Sequence, residues 1–388
     1  DGAEAAVDEL ADAIRQTPEF AEALQRVWPR LTGPELLHDL FGARALIRDA
    51  ADGVLSESEQ ALLYRARSDS PEAVAWTVAD AALIDEARIL LGPRRRPRPP
   101  VRSADVLEGI DLDAYNGDVR AAALREAARV SGNGAVELDE AEFVTYGHIV
   151  VDEAQDLSPM ELRVLHRRDL AGSMTIVGDM GQATTASSPA SWDAVLAALS
   201  RRRDPTRVDL TVSYRTPEEV LDFAAPTLVA ASPDLEPPRA VRRVGAAPTV
   251  EVVNPDEALD ALADAAAREL AAVAPGRVAV ITPSSLVGVA LESLRAAGLD
   301  PSDPRDPESR GLASDLVVLG AEATHGLEFD AVVVFEPARI ARRGAADGEE
   351  TARGLRTLYV ALTRPTRRLA VVSGEPLPST LAPVGALT

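Results

Sequence analysis

A chain of 388 residues has room for two or three domains, and an apolar fraction of 46 % supports ordinary buried cores. There is no cysteine, which excludes disulfides and thiolate metal sites, and a formal net charge of −22 argues against a surface that adheres to DNA all over. No run reaches the ~18 uninterrupted apolar residues of a membrane span. The acidic opening "DGAEAAVDEL" is unlike a secretory signal, so a cytoplasmic protein that does not enter the membrane is expected.

All 40 basic residues are Arg, which with the Ala excess suggests a high-G+C coding bias. A local basic groove remains compatible with the acidic total. The first residue is not Met and lies inside a helical pattern, which suggests a portion of a longer protein.

Residues 1 to about 90 read as successive helices. "AAVDELADAIRQ", "PEFAEALQRVWPRL", "PELLHDLFGARALIRDAADGVL" and "ESEQALLYRAR" carry apolar residues at three- and four-residue spacing. "TPEF" and "TGPELL" place Thr before Pro, a helix-start signal. The Pro/Arg run "LGPRRRPRPPVRS", 91–103, cannot continue a helix. It is either a solvated connector or a basic arm that touches an acidic partner or nucleic acid.

From about 141, strands alternate with helices. The expected strands are 148–151, 174–178, 208–213, 249–253, 277–282, 315–320, 331–336 and 369–374, several of them apolar on both faces and β-branched. Helices are expected in "PMELRVLHRR", "ASWDAVLAALSRR", "TPEEVLDFAAPTLVAA", "PDEALDALADAAARELAAV" and "SLVGVALESLRAAG". This alternation implies an α/β doubly wound fold, in which ligands sit at the carboxyl ends of the strands.

Several strings place chemistry at those ends. In "HIVVDEAQDLSP", 148–159, Asp152 and Glu153 directly follow a strand. One acid there can hold Mg²⁺ while its neighbour orients an attacking water, although solvated acids at a strand end are the plain alternative. "TIVGDMGQ", 175–182, ends a second strand with Asp179 and Gln182, and a Gln in that place can sense a terminal phosphate. "SYRT", 213–216, sets Tyr214 and Arg215 after a third, and the planar fork of Arg suits phosphate oxygens. "ATHGLEFDAVVVF", 323–335, has Gly326 and Glu328 ahead of a strand. "LYVALTRPTRRLAVV", 358–372, has Arg364 at a helix end. Structural alternatives stand beside these readings: core packing for Tyr214, a turn cap for Glu328, a helix-end surface charge for Arg364. Asp156 and Asp179 suit structural hydrogen bonding.

In order and spacing these strings resemble the later motifs of superfamily-one helicases of the UvrD/Rep type, over about 148–372. The resemblance implies RecA-like P-loop NTPase domains with parallel sheets, the first incomplete, and ATP bound between them. Carried over, Asp152 resembles the Mg²⁺ ligand, Glu153 the catalytic base and Gln182 the γ-phosphate sensor. Tyr214 looks like the adenine-stacking aromatic, Arg215 like a γ-phosphate contact, Glu328 like the ribose contact with Gly326 beside it, and Arg364 like the arginine finger. His325 stands where the family has Lys. The family's phosphate-binding loop, G-x-x-x-x-G-K-[ST], does not occur, and a chain without Lys cannot supply its Lys. The loop is therefore expected on a further N-terminal part of the same protein, and this chain alone is expected not to turn over ATP. In place of the family's base-stacking segment the chain reads "ATTASSPASWDAV", whose Trp192 suits a core anchor as well as a base platform.

"RVWPRLTGPELLHDLF", "AWTVADAALIDEARILLG" and "DEAEFVTYGHIVVDEAQDLSPMELRVLHRR" look like HelD, the UvrD-like ATPase that binds bacterial RNA polymerase. That resemblance implies a helical insertion domain over 1–140 with the Pro/Arg loop at 91–103, the C-terminal part of a first RecA-like domain over 141–205, and a second over 206–388. It implies RNA polymerase as partner, DNA as a further one, and ATP with Mg²⁺ as cofactors. An ordinary 3′–5′ DNA helicase and a non-catalytic polymerase-binding module remain the alternatives.

Overall fold

The computed structural model describes residues 13–15, 17–29, 31–92, 144–185, 187–189, 191–199, 204–307, 309–343 and 350–381. The Pro/Arg run beyond Gly92 and the stretch "ARVSGNGAVEL" lie outside the described residues. The chain divides into two compact units. One comprises 1–149 with 160–174, the other 150–159 with 175–388.

The described part of the first unit is mainly helical. Helices α1 (Pro18–Val27), α2 (Gly33–Gly42), α3 (Arg44–Ala50), α4 (Glu57–Leu63) and α5 (Val78–Leu91) follow one another. The expected long helix over 34–55 is broken, because Ala43 takes an extended conformation between α2 and α3. Thr32, Ser56 and Thr77 cap α2, α4 and α5 through reciprocal bonds with Glu35, Glu59 and Asp80, which satisfy amide donors left free at a helix start. Few apolar side chains are buried here, among them Leu37, Phe41, Ile47, Ala82 and Ala87. Asp80 adds a bidentate pair with Arg65, at 2.7 and 2.9 Å. Helix α6 (Pro159–Arg168) joins α5 through an ion network. Arg163 reaches Glu86 at 2.9 Å, Arg167 reaches Asp85 at 2.8 Å and also Glu86, and Arg168 reaches Asp85 at 2.7 Å.

Short strands β1 (Ile149–Val151) and β2 (Met174–Ile176) form a two-stranded sheet, followed by helix α7 (Trp192–Ala198). Strands β3 (Val212–Ser213) and β4 (Arg239–Ala240) form a second small parallel pair, with helix α8 (Glu218–Ala231) between them. The strand expected over 208–213 is thus shortened, since only Val212 and Ser213 find ladder partners, and Leu210 stays 84 % exposed.

The main sheet contains β5 (Thr249–Val252), β6 (Val278–Thr282), β7 (Leu316–Gly320), β8 (Phe329–Phe335) and β9 (Pro365–Ser373). Its order is β5-β9-β8-β6-β7, with every pairing parallel. Helices α9 (Ala258–Val273), α10 (Val287–Ala296), α11 (Pro337–Ala341) and α12 (Ala352–Leu362) complete it. The fold is α/β. Successive residues of a strand face opposite sides, and both sides are covered here. Ala279, Ile281, Val332 and Val334 pack with α8, α11 and α12, while Val278, Val280, Ala331 and Val333 pack with α9 and α10. The strands read as continuous apolar runs for this reason. Among the described residues no helix is long and apolar enough to cross a membrane.

Candidate active site

The candidate residues all belong to the second unit. Asp152 and Glu153 follow β1, and the Glu153 amide donates to Asp152 Oδ1 at 2.9 Å. Glu153 has φ 52° and ψ 44°, a left-handed conformation that ordinary residues adopt at a cost of about 1–3 kcal/mol and that collects at functional sites. This kink turns the chain from the strand into a short 3₁₀ turn, Ala154–Asp156, and leaves Asp152 exposed. The Glu153 carboxylate is held by the next polar side chain, with Gln155 Nε2 donating to Glu153 Oε2 at 2.7 Å.

The stretch after β2 is organised around Asp179. Its Oδ1 accepts from the Gly181 amide and its Oδ2 from Gln182 Nε2, both at 2.8 Å. Gln182 Oε1 accepts from Arg364 Nη2 at 3.0 Å, although 182 positions separate the two in sequence. Arg364 is 6 % exposed and also donates through Nε to Val360 O at 3.0 Å. It is not a helix-end surface charge. Burial, then the neighbouring Arg215 charge, pushes its guanidinium below the ordinary value, while Glu153, Glu328 and Tyr359 act in the opposite sense. The side chains of Glu153, Arg215, Glu328 and Arg364 therefore share one electrostatic neighbourhood. Burial also raises the Tyr359 phenol, and the nearby Asp179 adds to that.

Arg215 Nη1 pairs with Glu328 Oε1. Glu328 thus has a charged partner rather than a capping role. It follows a turn in which Gly326 has φ +67°, a region that suits glycine. Tyr214 is 75 % exposed, which excludes the core-packing alternative and leaves its ring face open to stacking. Trp192 is half-buried at the start of α7. His325 links two other segments: Nε2 lies 2.8 Å from Thr184 Oγ1 and Nδ1 lies 3.4 Å from Asp156 Oδ2.

Three further arginine or glutamine side chains support the site and could not be read from the sequence. Gln155 is fully buried. The Arg242 Nη2 donates to the carbonyls of both Arg215 and Thr366, which ties together the backbones that carry Arg215 and Arg364. Arg356 donates to Ser232 Oγ at 3.1 Å and to Ala183 O at 3.4 Å, beside Gln182. The signal for these was too general, since most of their partners are backbone atoms or residues distant in sequence.

The residues suit Mg²⁺ and a nucleotide triphosphate. Asp152 keeps Oδ2 clear of the Glu153 amide that occupies Oδ1, and Mg²⁺ typically takes one or two carboxylates together with phosphates and water. Among the described residues no three His, Asp or Glu side chains converge as a protein-only metal cage. Arg215 and Arg364 each carry a planar donor fork of the kind that suits phosphate oxygens.

Compared with known protein families, the chain matches none, and no curated protein matches it. Among solved structures it is similar to the C-terminal domain of a possible DNA helicase from Lactobacillus plantarum WCFS1. The identity is 22 % over 45 % of this chain and 95 % of that one, with a TM-score of 0.34. It is also similar to arterivirus nonstructural protein 10, a helicase, in complex with DNA. There the identity is 19 % over 59 % of this chain and 40 % of that one, with a TM-score of 0.28. Scores of this size do not define a shared fold.

Proposed function

We propose that this chain is part of a UvrD-like motor ATPase of the HelD-like kind, which couples ATP binding and hydrolysis to the release or remodelling of RNA polymerase on nucleic acid. The observation that carries this reading is the Arg364–Gln182 contact, joined by the Arg215–Glu328 pair and the Gln155–Glu153 bond. Phosphoryl transfer requires positioning and charge neutralisation more than covalent chemistry, and an arginine finger contributes about 10³–10⁵ in rate. In this reading Glu153 accepts the proton of the attacking water and Gln182 contacts the terminal phosphate. Arg215 and Arg364 neutralise charge that develops on the phosphoryl oxygens. Tyr214 stacks on the base, and Glu328, with Gly326 beside it, faces the ribose. Asp152 would hold Mg²⁺, which would supply charge neutralisation on the phosphates.

The phosphate-binding loop is assigned to a further segment of the same protein, since its Lys has no counterpart among these 388 residues. An acidic surface suits a partner built to hold DNA, because such a channel is basic. The test uses the protein with that segment present. Glu153→Gln should lower ATP turnover at least a hundredfold while nucleotide binding persists. Unchanged turnover removes Glu153 from the base role. Capture of polymerase subunits by the intact protein supports the HelD-like assignment, and strand displacement without such capture points instead to a 3′–5′ DNA helicase.

A further inference from the structure

Gln155 plays no part in the reading above, yet it is 0 % exposed in the middle of the candidate site. A buried amide is costly unless its donor and acceptor are both used. Here both are. The Asp179 amide donates to Gln155 Oε1 at 2.9 Å, and Gln155 Nε2 donates to Glu153 Oε2 at 2.7 Å. A backbone N–H can only donate, so it fixes which end of the Gln155 amide faces Asp179 and leaves the NH₂ for the carboxylate. Space for this contact comes from Gly178. A Cβ there would lie 2.6 Å from Gln155 Oε1 and 3.0 Å from the Ala154 nitrogen.

The same logic orients Gln182. Arg364 has only donors, so Gln182 must offer Oε1 to it, and its NH₂ then faces Asp179 Oδ2. Every bond consequently points the same way. Arg364 donates to Gln182, Gln182 to Asp179, the Asp179 amide to Gln155, and Gln155 to Glu153. The row is two hydrogen-bonded segments joined by the covalent frame of Asp179: Arg364 and Gln182 end on the Asp179 carboxylate, and the Asp179 amide and Gln155 end on the Glu153 carboxylate.

We propose that Gln155 is a positioning residue: it fixes the Glu153 carboxylate and ties it, through Asp179 and Gln182, to Arg364. The proposal rests on the ATPase reading for its kinetic consequence only. The Glu153 carboxylate takes its direction from the bond that Gln155 Nε2 donates, so loss of the Gln155 amide leaves the carboxylate misaligned. An error of about 1 Å in such a group can cost on the order of a hundredfold in rate.

Two nearly isosteric variants of the full-length protein separate the two halves of the contact. Gln155→Glu keeps an acceptor for the Asp179 amide but sets a second carboxyl group against Glu153, so the neutral donor is replaced by a like charge or a shared proton. Gln155→Leu removes both halves. Hydrogen exchange of the segment 177–183, measured without nucleotide, should stay at the wild-type rate in Gln155→Glu and rise at least tenfold in Gln155→Leu. The β6 and β8 segments serve as the unaffected reference. ATP turnover should fall about 10- to 100-fold in kcat in both variants, with KM for ATP within about twofold, as expected for misalignment rather than lost binding. Turnover at the wild-type level in either variant would overturn the proposal. Equal exchange in wild type and Gln155→Leu would overturn it as well. If the wild-type protein hydrolyses no ATP, the proposed function fails separately, and the exchange contrast still decides whether Gln155 joins the two segments.

Discussion

The main sheet and the helices over 31–92 are stabilised in different ways. Strands β6 and β7 are buried along their whole length, and apolar side chains fill both faces of the sheet. The helices bury few apolar side chains and depend on three capping boxes, a pair between the buried Asp80 carboxylate and the partly exposed Arg65, and the α5–α6 ion network. Apolar burial is indifferent to pH and tolerant of small shifts. Directed polar contacts are not. The sheet should therefore act as the fixed platform, and the helices should respond to acid and to single polar substitutions.

The largest expected effect lies in the platform. Leu358 of α12 is fully buried against the sheet. Leu358→Ala should destabilise the second unit by about 2–5 kcal/mol, the usual range for a cavity left by a buried leucine. Chemical denaturation monitored by exchange in β6 and β8 reads this directly. The same variant should leave protection in α2 and α5 unchanged. Parallel loss in both regions would show that the contrast between them is false.

A smaller effect, confined to the helices, follows from Asp80. The Arg65 guanidinium, bonded to both of its oxygens, holds the Asp80 carboxyl down from 3.8 to about 2, against a raising effect of burial. A carboxyl with a lowered folded value stabilises fully above its unfolded value and loses that contribution as pH falls through the folded one. The helices should accordingly lose on the order of 2 kcal/mol between about pH 4 and pH 2, less the share that solvent screens at the partly exposed Arg65. Asp80→Asn should be destabilised already at pH 7 and should show a flatter profile over that window. Helical circular dichroism against denaturant at several pH values checks both.

Much of this was legible in the sequence, for physical reasons that also explain the omissions. Strands β6, β7 and β8 could be read because burial on both faces demands uninterrupted Val, Ile and Leu. Asp152, Glu153, Gln182, Arg215, Glu328 and Arg364 could be singled out because each stands at an element end in a recognisable string. The strand over 208–213 was overestimated, since alternation does not reveal whether a ladder partner exists. The short strand β4 and the five-residue helix α11 are below the length at which periodicity speaks. Gln155 and Arg242 were not legible as parts of the site, because the bonds that tie Gln155 to Asp179 and Arg242 to Arg215 and Thr366 span 24 positions or more.

The smallest effect tests the helical side of the comparison most finely. Thr77 caps α5: its Oγ1 accepts from the Asp80 amide at 3.3 Å, while Asp80 Oδ2 accepts from the Thr77 amide at 2.8 Å. Thr77→Ala removes the first bond and the one its hydroxyl donates to Asp80 Oδ2 at 2.8 Å, and leaves the second, together with the Arg65 pair. The expected loss is about 1 kcal/mol, typical of an N-cap replaced by Ala. Ser56 makes the equivalent box with Glu59 at the exposed start of α4. Water can replace the lost acceptor there, so Ser56→Ala should cost about half as much. Thr77→Ser should restore the first value nearly to wild type. If Ser56→Ala were the costlier of the two, burial of Asp80 would not be what makes the α5 start sensitive, and the polar account of these helices would have to rest on the ion network with α6 alone.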